Sequence, residues 1–140
     1  MVIIRRGELR FIVSHAEKTY PEECCGFLLG LNAREHRILR ALSVPNVNAH
    51  NRRRRYNVDP KDIMCADGTA EKSNLEVLGV YHSHPDAPPI PSQFDLEYAW
   101  PSYTYLVVAV KNGKENGVGA WVLGEDRSAF RRVQLVVEDE

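Results

Sequence analysis

The chain predicts an α/β fold of the α+β type, a mixed and mostly antiparallel β-sheet flanked by helices, in one domain over residues 1–140. Three observations predict it. Leu9, Ile12, Val13 and Ala16 recur at helical spacing and form one apolar face. Short apolar runs rich in β-branched residues appear between turn signals, as buried strands do. At 140 residues the chain is also long enough to bury a core without disulfide or metal staples.

The elements follow in order. Residues 2–4 read as a short strand, and residues 7–20 as an amphipathic helix that Pro21 ends. Residues 24–31 read as a buried strand, and residues 37–44 alternate enough to be the next one. Residues 46–55 are polar and predict a loop. Asp59-Pro60 is a helix start with proline at the first helical position, so residues 60–70 predict a helix. Residues 75–84 (LEVLGVYHSH) are apolar, stop at Pro85 and predict a buried strand. A proline-stiffened loop follows, and residues 92–100 predict a short helix. Residues 105–111 and 119–123 predict strands, with KNGKENG between them as a turn. Residues 130–137 predict a final strand and residues 138–140 a solvated tail. The sequence contains no internal repeat, linker or low-complexity tract.

Composition narrows the function. A formal charge of −1 gives no overall reason to expect nucleic-acid or membrane binding. The N-terminus meets charge already at Arg5, unlike a secretory signal, and no run of eighteen apolar residues suggests a membrane span. Cys24, Cys25 and Cys65 are odd in number and form no C-x-x-C, which suits a reducing cytoplasm. Cys24 and Cys25 are expected to be core thiols rather than metal ligands.

The chemistry concentrates in residues 81–95, YHSHPDAPPIPSQFD, together with Glu23. Alternation along a strand puts His82 and His84 on the same side, close enough to share one ion. Pro85, Pro88, Pro89 and Pro91 fix several backbone φ angles after them. Asp95 falls in the first turn of the next helix, where a folded-back loop could present its carboxylate to the histidines. Two imidazoles and a carboxylate leave one position of a catalytic zinc open for water, and a second carboxylate could activate that water. The pattern therefore predicts a zinc hydrolase. A plainer reading stands beside it: SQFD is a capping box, with Ser92 at the N-cap and Asp95 at N3, and two histidines can simply be hydrogen-bonded at a sheet edge. Capping and catalysis are compatible.

HSHPDAPPIPSQFD resembles the JAMM motif of the MPN-type metalloproteases, H-[ST]-H-P…S-x-x-D. PEECCGFLLG, residues 21–30, resembles the family's P-x-E-x-C-G-x-L-x-G segment, which singles out Glu23 rather than Glu22. RRRRYNVDPK, residues 52–61, resembles the R-Y-x-x-D-P segment of the small bacterial and archaeal members. The resemblance implies a cytidine-deaminase-like architecture, with His82, His84 and Asp95 as ligands of one zinc ion and water as the fourth. It implies that Glu23 moves the proton from water to the leaving amine and that Ser92 donates a hydrogen bond to the oxyanion. It also implies a substrate, the Gly-Gly tail of a ubiquitin-like or sulfur-carrier protein, as for the stand-alone prokaryotic members.

Two alternatives remain at this level. A catalytically silent MPN-type scaffold would bind a partner through the same fold, although such members usually lack a ligand and none is missing here. A cupin also uses His-x-His but should be nearly all strand. A zinc deaminase would need H-x-E together with P-C-x-x-C, and no P-C-x-x-C is present. The charge run Arg52 to Arg55 reads as a solvated loop or, alternatively, as a contact for the substrate's tail, since guanidinium pairs bidentately with carboxylate. His15, His36 and His50 lack partners at ligand spacing and are left unassigned.

Overall fold

A computed structural model describes residues 1–139. The elements are β1 (Val2–Arg5), α1 (Arg6–Thr19), β2 (Cys25–Asn32), β3 (His36–Val44), α2 (Pro60–Lys72), β4 (Glu76–Pro85), α3 (Gln93–Glu97), β5 (Thr104–Lys111), β6 (Lys114–Leu123), β7 (Phe130–Val133) and β8 (Leu135–Glu138). The strands form one mixed sheet in the order β7-β6-β5-β4-β2-β3-β1-β8. Pairs β2–β3, β2–β4, β5–β6 and β6–β7 are antiparallel, while β1–β3, β1–β8 and β4–β5 are parallel.

The sheet carries a hydrophobic layer on each face. On one, Ile12 and Ala16 of α1 pack with Leu28, Ile38, Tyr81, Leu106 and Val108. On the other, Ala66 and Ala70 of α2 pack with Phe27, Leu29, Val80 and Tyr105. Successive residues Phe27, Leu28 and Leu29 thus serve opposite layers, the two-residue period of a strand buried on both sides. Ile12 is fully buried, and truncating such a residue to alanine costs about 2–5 kcal/mol. Gly26 sits where a Cβ would lie 2.3 Å from the Leu42 carbonyl oxygen and from the Tyr81 ring, so only glycine lets these strands and that ring close up.

Three expectations need correction. Residues 130–137 form two strands, not one: β7 pairs with β6 and β8 with β1, at opposite ends of the strand order. Only Gln134 separates them, and its carbonyl accepts from the Val2 N–H at 2.8 Å. The sheet therefore curls until its two edges meet at this residue. FRRVQLVV contains no glycine or proline, so nothing in its local pattern marks the crossing. The expected turn at residues 111–117 is only Asn112 and Gly113, both at positive φ (52° and 81°), and β6 begins at Lys114. An Asn-Gly pair with two positive φ angles makes the tight hairpin whose twist matches the strands. The expected helix at residues 92–100 ends at Glu97. Pro101 disfavours helical geometry at Trp100, and the Trp100 N–H donates instead to the Tyr105 hydroxyl at 2.6 Å.

Candidate metal centre

The centre forms where β4, α3 and the segment before β2 converge. His82 and His84 lie on the same face of β4 as Val80, the α2 side of the sheet, and both are buried. Their Nε2 atoms are 3.0 Å apart. Asp95 comes from the first turn of α3, where it completes the capping box: Ser92 Oγ accepts from the Asp95 N–H at 3.1 Å, and Asp95 Oδ2 accepts from the Ser92 N–H at 2.8 Å. The same Oδ2 lies 3.0 Å from His82 Nε2 and 3.1 Å from His84 Nε2. One oxygen thus serves both the cap and the centre, so the two sequence readings of SQFD describe a single arrangement.

Glu23 is buried at the end of the loop before β2. Its N–H donates to the Arg52 carbonyl at 2.7 Å, and its own carbonyl accepts from Asn46 Nδ2 at 3.0 Å. A carboxylate oxygen of Glu23 and one nitrogen each of His82 and His84 all lie within 4.8 Å of one another. Glu22 instead turns to the surface and pairs with Arg52 at 3.4 Å. Glu23, His84 and Ser92 line one cleft of about 490 Å³, together with Arg53, Arg54 and part of the proline-rich loop. Because Ser92 Oγ already accepts from Asp95, its O–H proton remains available to the cleft.

The donor set fits a divalent cation. Ligands about 2.0–2.1 Å from a tetrahedral zinc would be about 3.3 Å apart, close to the 3.0–3.1 Å separations here. His84 Nδ1 lies 2.9 Å from the Pro88 carbonyl, which only accepts, so Nδ1 carries the proton and Nε2 keeps its lone pair for a metal. Burial lowers the His82 pKa, and Asp95 only partly offsets this, which favours the neutral imidazole that metal binding requires. Burial would raise the Asp95 carboxyl, but His82, His84 and the Ser92 N–H outweigh it and hold the group far below the usual carboxylate range. Burial, and then the charge on Asp95, push Glu23 up to about 9. A cation beside them would draw it down again. Glu23 Oε1, Asp95 Oδ1 and His82 Nδ1 are buried without hydrogen-bond partners. Two buried carboxyls converging on two imidazoles, with no cationic side chain bonded to them, are what a bound cation would satisfy.

The structure also brings in residues that sequence reasoning did not assign. The Tyr56 ring stacks on His82, with centroids 4.5 Å apart and planes at 24°. Tyr56 belongs to the R-Y-x-x-D-P segment, which was the only available signal. Ser83, between the two histidines, accepts from the Cys24 N–H at 2.8 Å. Of the arginine run, Arg53 and Arg54 line the cleft, Arg52 is tied to Glu22, and the Arg55 guanidinium lies 4.6 Å above the Phe94 ring. His15 bonds to Tyr81 and His36 to Thr104, away from the centre. Cys24 and Cys25 are buried and Cys65 is exposed. Among the described residues no cysteine joins the donor set, and no helix is long and apolar enough to cross a membrane.

Known proteins resemble the chain along nearly its whole length. The family described as prokaryotic homologs of the JAB domain matches residues 6–131. A desampylase from Pyrococcus furiosus is 38% identical over 139 residues, covering 98% of this chain and 91% of its own. A CysO-cysteine peptidase from Mycobacterium tuberculosis is 25% identical over 113 residues, covering 80% of this chain and 75% of its own. The solution structure of a protein from Salinibacter ruber superposes with a TM-score of 0.77 at 39% identity, covering 99% of this chain and 92% of that one.

Proposed function

This chain belongs to the prokaryotic homologs of the JAB domain, and from that premise we propose that it is a zinc-dependent peptidase of the JAMM type. It hydrolyses the bond that follows the Gly-Gly tail of a ubiquitin-like or sulfur-carrier protein, with the whole chain acting as one catalytic domain. The observation that carries this reading is the meeting of His82 Nε2, His84 Nε2 and Asp95 Oδ2 at 3.0–3.1 Å beside a buried Glu23. The similarity to a desampylase and to a CysO-cysteine peptidase supports the substrate class.

His82, His84 and Asp95 would hold one zinc ion. Zinc bound there would lower the pKa of a water to about 7 and polarise the scissile carbonyl. Glu23 takes the proton from the attacking water and delivers it to the departing amine, from its buried position in the wall of the cleft. The Ser92 hydroxyl, anchored as an acceptor by the Asp95 N–H, donates to the carbonyl oxygen as negative charge builds. One such donor is worth about 3 kcal/mol of barrier. Glycine at the two positions nearest the scissile bond lets the substrate backbone approach the buried donors closely.

The test is cleavage of ubiquitin-like Gly-Gly fusions by the wild type and by Glu23→Gln, with metal content measured on both. Glu23→Gln is expected to retain stoichiometric zinc and lose turnover. Equal turnover would remove Glu23 from the mechanism. Stoichiometric zinc with no cleavage of any fusion by the wild type would favour a silent binding scaffold.

A further inference from the structure

A second cavity lies on the other side of Asp95. It measures about 410 Å³ and is walled by Tyr56, Phe94, Tyr98, Trp100, Tyr103 and Tyr105, with Asp95 at one side. Its rim exposes apolar surface: Tyr98 and Trp100 are each 62% exposed. The chemistry derived above uses none of these aromatic side chains, although the Tyr56 ring stacks on His82.

Three observations say what this pocket takes. First, Asp95 is shared. Its Oδ2 faces the two imidazoles, while Oδ1 is buried and without a partner. An N–H donor entering from the pocket would satisfy it, and a peptide backbone carries such donors. Second, the polar cleft is spoken for. Glu23 lines that cleft, with Arg53 and Arg54, and not the aromatic pocket. A group that hands a proton to the leaving amine must sit beside it, so the amine departs on the arginine side and the acyl chain runs the other way. Third, the tail has one side chain to place near the centre. The two glycines next to the scissile bond present none, so the first belongs to the residue before them, about 7 Å of extended backbone from the last glycine, and the aromatic pocket opens directly beside Asp95.

We propose that the aromatic pocket receives the apolar side chain of the residue that precedes the two terminal glycines of the substrate. The carrier tail and the leaving amine then lie on opposite sides of the metal centre, and the pocket sets specificity for the tail. This inference deepens the function proposed above and rests on it.

Titration calorimetry of zinc-loaded Glu23→Gln with tail peptides ending in Leu-Gly-Gly, Ala-Gly-Gly and Asp-Gly-Gly tests the pocket without turnover. The leucine peptide should bind at least about tenfold tighter than the aspartate peptide, as filling an apolar pocket does. Adding Trp100→Ala or, separately, Ile63→Trp at the pocket's edge should bring that ratio towards one. Equal affinity for the three peptides, or a ratio unchanged in both variants, overturns the proposal. Cleavage of matched fusions by the wild type separates the two claims. Turnover indifferent to the residue before Gly-Gly sinks the pocket and leaves the peptidase. A clear leucine preference in binding with no fusion cleaved sinks the peptidase and leaves the pocket.

Discussion

Ser83 and Cys24 join the two halves of the centre: the Ser83 hydroxyl, between the two histidines, accepts a 2.8 Å hydrogen bond from the Cys24 N–H, next in the chain to Glu23. β2 and β4 are also paired at this point, Cys25 opposite His82. The distance from Glu23 to the imidazoles is therefore set by a buried side-chain bond as well as by the sheet ladder. Ser83→Ala leaves a buried N–H without its acceptor, which costs about 1–3 kcal/mol. It should lower Tm and reduce kcat while zinc content stays near one per chain. Ser83→Thr keeps the hydroxyl and should recover a large part of both. Full activity in Ser83→Ala would show that the sheet alone positions Glu23.

Asp95 and Ser92 share the cap but not the donor set, so they separate its two roles. Ser92→Ala removes the acceptor for the Asp95 N–H and should cost about 1 kcal/mol, measured by urea unfolding. It should also slow turnover by about a hundredfold or more through loss of the oxyanion donor, with zinc retained. Asp95→Ala should lose zinc as well as activity. Zinc content by elemental analysis distinguishes the two outcomes.

The Tyr56 ring stacks on His82 with centroids 4.5 Å apart, so the contact is made by the ring. Tyr56→Phe should therefore bind zinc as the wild type does, whereas Tyr56→Ala should weaken zinc by about tenfold or more, as loss of a group that orients a ligand does. Competition against a chromogenic chelator reads the difference. Equal affinity in Tyr56→Ala would leave the stack without a role at the metal.

Arg53 and Arg54 line the cleft, whereas Arg52 is paired with Glu22. Replacing Arg53 and Arg54 by glutamine should raise KM with little change in kcat, the mark of a contact made equally in ground and transition states. Arg52→Gln should change neither. An unchanged KM in the double variant returns this run to an ordinary solvated loop.

His15 supplies a pH dependence away from the centre. It is half-buried, its Nδ1 lies 2.8 Å from the Tyr81 hydroxyl, and burial lowers its pKa from 6.5. Below 6.5 the unfolded chain takes up a proton that the folded imidazole resists. The unfolded state then binds more protons, so stability falls with pH from 6.5 down to the lower folded value, and this contribution is flat above 6.5. The urea midpoint should drop between about pH 7.5 and about pH 5.5, and His15→Gln should drop less. His36, also lowered by burial, adds to the same slope.

Much of this fold can be read from the chain because the signals are local. The apolar face of α1, the Asp59-Pro60 start of α2 and the run ending at Pro85 each depend on neighbours within a few residues. The candidate site was legible for a related reason: alternation along β4 puts two histidines on one face, and the SQFD cap puts a carboxylate in the first turn of α3. Glu23 was different. Nothing in its vicinity distinguishes it from Glu22 except the resemblance of residues 21–30 to a known segment.

The sequence by itself determined the elements, the family and the donor residue types, since periodicity, capping and motif spacing are written over short distances. Only the tertiary structure decided which atoms meet. Glu23 turns inward because Arg52 and Asn46 hold its backbone, and residues 130–137 divide at Gln134 because the sheet curls until both edges reach that point. Aromatic residues between positions 56 and 105 gather into one pocket behind Asp95 for the same reason. Each of these depends on contacts between segments far apart in the chain, which no local pattern encodes.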